Sequence, residues 1–138
     1  MSFFSPVDNK RGRIEQVNLL PVIRKIFNRD IKIIENDLAI FDYECDKYCY
    51  ELKTRTNTRN KYPTTLIGRN KTESDKKIIF LFKFTDCLCY IKYKKEIFDT
   101  FEVKKFNRNV KASNKSDYIY IPIEHLKIIE SFDEICFK

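Results

Sequence analysis

Apolar positions in this chain follow two periods, and each period predicts a different kind of element. Leu19, Val22, Ile23, Ile26 and Phe27 recur at three- and four-residue spacing. That spacing predicts an amphipathic helix from about Asn18 to Asn28, with Asn18 as its cap and Pro21 in the first turn, where a missing N–H does no harm. Residues 1–12 are polar and punctuated, and read as an N-terminal arm. Shorter apolar and alternating runs predict strands at Ile31–Ile34, Leu38–Glu44, Tyr48–Arg55, Ile78–Phe84, Leu88–Tyr93, Glu102–Phe106 and Tyr118–Ile121. Ile78–Phe84 is the most apolar run and reads as a central strand. Thr65–Lys71 predicts one or two helical turns, and Glu96–Phe101 a short helix. Asn107–Asp117 is polar and reads as a loop. Pro122 opens a predicted final helix with Ile123, Leu126, Ile129 and Phe132 on its apolar side.

Strands joined by short turns, interleaved with a few helices, predict an α+β fold, or mixed α/β: a central mixed sheet flanked by helices. The 138 residues suit one domain spanning 1–138, long enough to bury a core without staples. No run approaches the ~20 apolar residues of a membrane span, and the start lacks a secretory-signal pattern. The protein is therefore expected to be intracellular (cytoplasmic), not secreted and not membrane-bound. Five cysteines, Cys45, Cys49, Cys87, Cys89 and Cys136, form no CxxC pair, and His125 is the sole histidine. Reduced thiols packed as small apolar groups fit this better than zinc or a disulfide framework.

Charge narrows the class of partner. The net charge is +7, which suits a polyanion. From Leu52 to Thr72 every charged side chain is basic: Lys53, Arg55, Arg59, Lys61, Arg69 and Lys71. A one-signed segment beside acidic residues suggests a rim for phosphates, although charge runs are commonly solvated loops. Only two glycines occur, Gly12 and Gly68, so there is no glycine-rich phosphate loop.

The sharpest feature is Glu51-Leu52-Lys53. Residues two apart in a strand point the same way, so Glu51 and Lys53 share one face, and Tyr48, Tyr50 and Leu52 fill the other. If Asp46-Lys47 is a two-residue hairpin link, Cys45 faces Tyr48 and Asp42 faces Glu51. Directly opposed like charges destabilise a sheet unless a cation lies between them. Mg²⁺ suits such a pair, because it takes oxygen ligands and needs few carboxylates. Asp37 is the rival aspartate, and a bulge or three-residue loop would favour it.

The run from Asp42 to Lys53, Asp-Tyr-Glu-Cys-Asp-Lys-Tyr-Cys-Tyr-Glu-Leu-Lys, resembles the Asp-then-ExK signature of the PD-(D/E)XK nuclease superfamily. That superfamily includes restriction endonucleases, phage exonucleases and Holliday junction resolvases. Residues 51–57 with Tyr62-Pro63-Thr64-Thr65 and Asn70-Lys71 also resemble small uncharacterised proteins of large DNA viruses. The chain departs from the pattern in having Phe41 where many members carry proline. The resemblance implies a restriction-endonuclease-like core of helix, three strands, helix and strand. It implies that Asp42 and Glu51, with the Leu52 carbonyl, hold Mg²⁺ or Mn²⁺, and that Lys53 orients the attacking water. Glu15 and Glu35 are weaker candidates for an added acid from the first helix region. Arg55, Arg59, Lys61, Arg69 and Lys71 are then expected to position a nucleic-acid backbone, with DNA the expected form. A homodimer is compatible, since resolvases and many restriction enzymes are dimers, and so is association with a virion. The same features also fit a nuclease-like module that binds nucleic acid without cutting it, or an interaction protein on which Glu51 and Lys53 form a surface ion pair. Tyr48, Tyr50, Tyr90 and Tyr93 fit either base-stacking platforms or core aromatics.

Overall fold

The computed structural model describes residues 6–36, 39–105 and 117–131. Helix α1 (Pro6–Ile26) leads into β1 (Lys32–Ile33), β2 (Tyr43–Glu44) and β3 (Tyr48–Thr54). Next come β4 (Thr64–Gly68), a single 3-10 turn at Arg69–Thr72, β5 (Lys77–Lys83) and β6 (Cys87–Lys92). The chain continues through α2 (Lys95–Phe98), β7 (Glu102–Lys105), β8 (Asp117–Pro122), a 3-10 turn at Ile123–His125 and β9 (Lys127–Ser131).

Two sheets form. The larger has the order β1-β2-β3-β5-β6-β9, and the smaller β4-β8-β7. Every pairing is antiparallel except β3 with β5, which run parallel from Tyr48↔Lys77 to Thr54↔Lys83. A parallel pair needs a crossover connection, and here that crossover carries β4 and the 3-10 turn. The fold is α+β with a mixed central sheet, as the sequence predicts.

The reason for the layering lies in β5, where Ile78 through Phe82 are all buried. A strand with both faces apolar must be covered twice. Ile79 and Leu81 join Leu19 and Ile23 of α1, with Tyr43, Tyr50 and Leu88, in one core. Ile78, Phe80 and Phe82 join Ile67, Ile119 and Ile121 of the small sheet in the other. The second face is thus covered by strands rather than by the expected helices. Cys45, Cys49, Cys87 and Cys89 are free and buried in these cores; Cys136 lies outside the described residues.

Four expectations are corrected. The first helix begins at Pro6, not Asn18, and takes in residues 6–12 of the expected arm. Pro21 consequently sits inside the helix, and the bond it forgoes is to Val17, on an exposed flank where water reaches the carbonyl. Thr65–Lys71 is not a helical stretch up to Gly68, because buried Thr65 and Ile67 alternate with half-buried Leu66 and pair with β8. The final helix is absent: Ile123 and Leu126 owe their spacing to a 3-10 turn, and Lys127–Ser131 then adds to the open edge of β6. Of the predicted strand at Leu38–Glu44, only Tyr43–Glu44 is strand among the described residues, and Leu38 lies outside them. The loop at 107–116 and Phe132 lie outside the described residues.

Candidate active site

Along β3 the side chains alternate as a strand requires. Tyr50 is buried, with Tyr48 and Leu52 packed beside it, on the α1 side. Cys49 belongs to the opposite core, so Glu51 and Lys53 share that face. Glu51 is only 3% exposed, and its β5 neighbour is Phe80. A carboxylate there is costly unless something compensates its charge.

The hairpin register is Tyr43↔Tyr50 and Glu44↔Cys49. Toward the turn it leaves Asp46-Lys47 as the link, with Cys45 N–H donating to Tyr48 O at 2.9 Å; beyond Tyr43 the chain departs from the regular ladder. Asp42 N–H donates to Tyr50 O at 2.9 Å. Asp42 Oδ2 accepts from Leu52 N–H at 2.8 Å, and Oδ1 accepts from Gln16 Nε2 on α1 at 2.7 Å. A strand residue presents its N–H and C=O on the same edge, so the Leu52 carbonyl emerges on the edge where Asp42 sits.

The two carboxyls lie close enough for Glu51 to act on Asp42. Burial raises the Asp42 pKa most, the contact with Glu51 raises it further, and the Leu52 N–H and Lys53 only partly offset this; the result is about 8. Asp42 therefore keeps a proton through neutral pH. Lys71 Nζ stands 2.9 Å from Glu51 Oε2 and Lys53 Nζ 3.7 Å from it. Lys71 also donates to Ile40 O at 2.9 Å. Lys71 lies off the axis of a good hydrogen bond and Lys53 lies beyond its reach, so the buried Oε2 has charge neighbours but no aligned donor.

This donor set fits a small divalent cation. Two touching carboxyls, one holding a proton and one with an orphaned oxygen, lie beside a backbone carbonyl. Mg²⁺ commonly takes one or two carboxylates and completes its shell with water and substrate oxygens. No group of three or more His, Cys, Asp or Glu side chains suited to a metal occurs among the described residues, so two carboxylates are what the protein itself offers. Glu15 on α1 is directed elsewhere, 3.8 Å from Lys83 Nζ. Glu35 is exposed, and Asp37 lies outside the described residues.

The basic segment does not form one rim. Arg55 Nε donates to Thr65 Oγ1 and Nη2 to Leu66 O, and the guanidinium lies over Phe82. Arg59 Nη2 donates to Ile123 O at 3.0 Å and Leu126 O at 3.2 Å, while its N–H donates to Asp86. These two arginines tie the small sheet and the C-terminal turn to β3. Arg69 pairs with Asp117 at 3.2 Å. Lys61 is exposed over Tyr62, and Lys71 serves the acids. Arg59→Ala is therefore expected to cost stability, about 1–3 kcal/mol, by stranding two carbonyls. Urea denaturation checks this, and an unchanged midpoint would return Arg59 to the surface role.

Gln16 was not foreseen, although a signal existed: it lies three and seven residues before Leu19 and Ile23, a polar residue in the apolar stripe of α1. His125, in the 3-10 turn, is exposed and meets Phe101 edge-on. No helix among the described residues is long and apolar enough to cross a membrane. No family model matches the sequence, and no curated protein matches it.

Proposed function

We propose that the protein is a divalent-metal-dependent nuclease of the PD-(D/E)XK type, hydrolysing phosphodiester bonds in nucleic acid, with DNA the expected substrate. The observation that carries this reading is the contact of the Asp42 and Glu51 carboxyls beside Lys53. Asp42, Glu51 and the Leu52 carbonyl would hold Mg²⁺ or Mn²⁺, which supplies charge neutralisation at the phosphate and a more acidic water. Gln16 and the Leu52 N–H fix the orientation of the Asp42 carboxyl from both sides. Lys53, a third exposed at its side chain, reaches solvent from the face of Glu51. There it can orient the attacking water and offset charge that develops on the phosphate. Lys71, which contacts Glu51 at 2.9 Å, would be free to contact phosphate where a metal's charge took the place of its own.

The short Lys71–Glu51 contact favours a second reading: an ammonium in permanent place of a metal, and a nuclease-like module that binds nucleic acid without cutting it. Labelled duplex, single-stranded and branched DNA, and RNA, incubated in Mg²⁺, Mn²⁺ or EDTA, separate the two. Cleavage in Mg²⁺ or Mn²⁺ and none in EDTA is expected. Binding without cleavage of any form, in either metal, would hand the protein to the second reading.

A further inference from the structure

A second basic region lies outside the segment that the sequence singles out. A cleft of ≈ 490 Å³ is lined by Lys76, Lys77, Lys92, Lys94 and Lys95, together with Tyr48, Thr72, Ser74 and Tyr93. Its lysines come from the start of β5 and the end of β6, which pair antiparallel through Ile79↔Lys92. Tyr93 N–H still donates to Ile78 O at 2.9 Å, and one further step sets Lys77 against Lys94. Like charges opposed across strands destabilise a sheet, as the two carboxyls do elsewhere, but here the missing partner is an anion.

Lys76 is already matched by Glu44 at 3.0 Å, and Lys95 by Asp99 at 2.7 Å. Lys77, Lys92 and Lys94 are exposed and have no carboxylate at ion-pair distance among the described residues. The Tyr48 ring lies 6.3 Å from that of Tyr50 and has the Lys77 ammonium over it at 5.9 Å, while Tyr93, packed against the other core, meets Phe98 edge-on at 4.8 Å. Flat rings held in place beside unmatched ammoniums are what a base and its phosphate require. The volume is that of a small-molecule site, enough for one or two nucleotides and too small to admit a duplex.

The cleft borders the turn that carries Lys71. Thr72 lines it, and the adjacent Lys71 contacts Glu51. Along β3, Tyr48 and Glu51 are three residues apart, and their side chains lie on opposite faces of the sheet. We infer that this cleft binds single-stranded nucleic acid, stacking a base on Tyr93 and placing phosphates on Lys77, Lys92 and Lys94. The inference takes its polyanion from the nuclease reading and adds to it the strand form.

The test measures binding of labelled oligo-dT and a blunt duplex in EDTA, across a salt series. The wild type is expected to prefer the single strand. Lys77→Glu/Lys92→Glu/Lys94→Glu is expected to lose on the order of 100-fold in affinity and to flatten the log–log salt slope by about 2, since each phosphate contact on a single strand contributes about 0.7. Tyr93→Leu keeps the packing on Phe98 and is expected to lose about tenfold with no change of slope. Unchanged binding in the charge-reversed protein would overturn the inference, and so would duplex binding as tight as single-strand binding. Cleavage in Mg²⁺, assayed separately, keeps the two proposals apart. A wild type that binds through the cleft and never cuts defeats the nuclease reading alone. One that cuts DNA while the charge-reversed protein binds normally defeats the cleft alone.

Discussion

Lys53→Ala is expected to lose metal-dependent cleavage by at least about 10²-fold while keeping the fold and most nucleic-acid affinity. Lys53 Nζ is 3.7 Å from Glu51 Oε2, whereas Lys71 is at 2.9 Å, so the buried carboxylate keeps its closer ammonium when Lys53 is removed. The lysine is one positive charge among many, and its loss costs little in ground-state binding. Its proposed work is on the water and on charge that appears in the transition state, and such an interaction lowers the rate rather than the affinity. Single-turnover cleavage with saturating protein, alongside binding in EDTA, measures both. A variant that cuts within threefold of the wild type would remove Lys53 from the chemistry.

Asp42→Asn is expected to stop cleavage by a different route and to leave a signature in stability. The folded-state pKa of Asp42 lies near 8, above its ordinary value of 3.8. Between those values the folded chain holds a proton that the unfolded chain has lost. Stability of the metal-free protein therefore falls as pH rises from about 4 through about 8, insofar as Asp42 governs it. Asparagine has no such proton. Its amide can donate to Glu51, and Gln16 can flip to accept from it, so the variant should lack that part of the slope and exceed the wild type in stability above pH 8 in EDTA. Added Mg²⁺ should reverse the order, because only the wild type can trade a proton for the metal. Its metal affinity should tighten as pH approaches 8, with proton uptake by the buffer in calorimetry. Thermal melts at pH 5 and 9, with EDTA and with Mg²⁺, check the crossing. Identical pH profiles for the two proteins would show that Asp42 and Glu51 do not compete for a proton.

The hairpin could be read from the residues because its rules are local. A period of two fixes which side chains share a face, so Glu51 and Lys53 fall together without knowledge of the rest; Asp42 comes near Glu51 although it leaves the regular ladder beyond Tyr43. The C-terminus was not legible in this way. Ile123, Leu126 and Ile129 satisfy helical spacing, but the open edge of β6 offered Lys127–Ser131 a ladder, and tertiary pairing overrode the pattern. Thr65 and Ile67 likewise depended on β8, a distant partner. The basic segment failed for a chemical reason: a guanidinium satisfied by carbonyls, as in Arg59, and one awaiting phosphate look alike in a sequence. Lys77 and Lys94 are separated along the chain and meet only through the β5–β6 pairing.

The route from β3 to β5 through the small sheet has a consequence for the order of assembly. Asp42, Glu51 and Lys53 belong to a hairpin of low contact order, which closes quickly. Lys71 is carried by the turn after β4, whose partner β8 is made much later in synthesis. On the ribosome the acids thus meet before the strand that fixes their ammonium neighbour exists. At that stage the ammonium within reach of Glu51 is Lys53 of its own strand, and Lys71 joins only once β4 is held by β8.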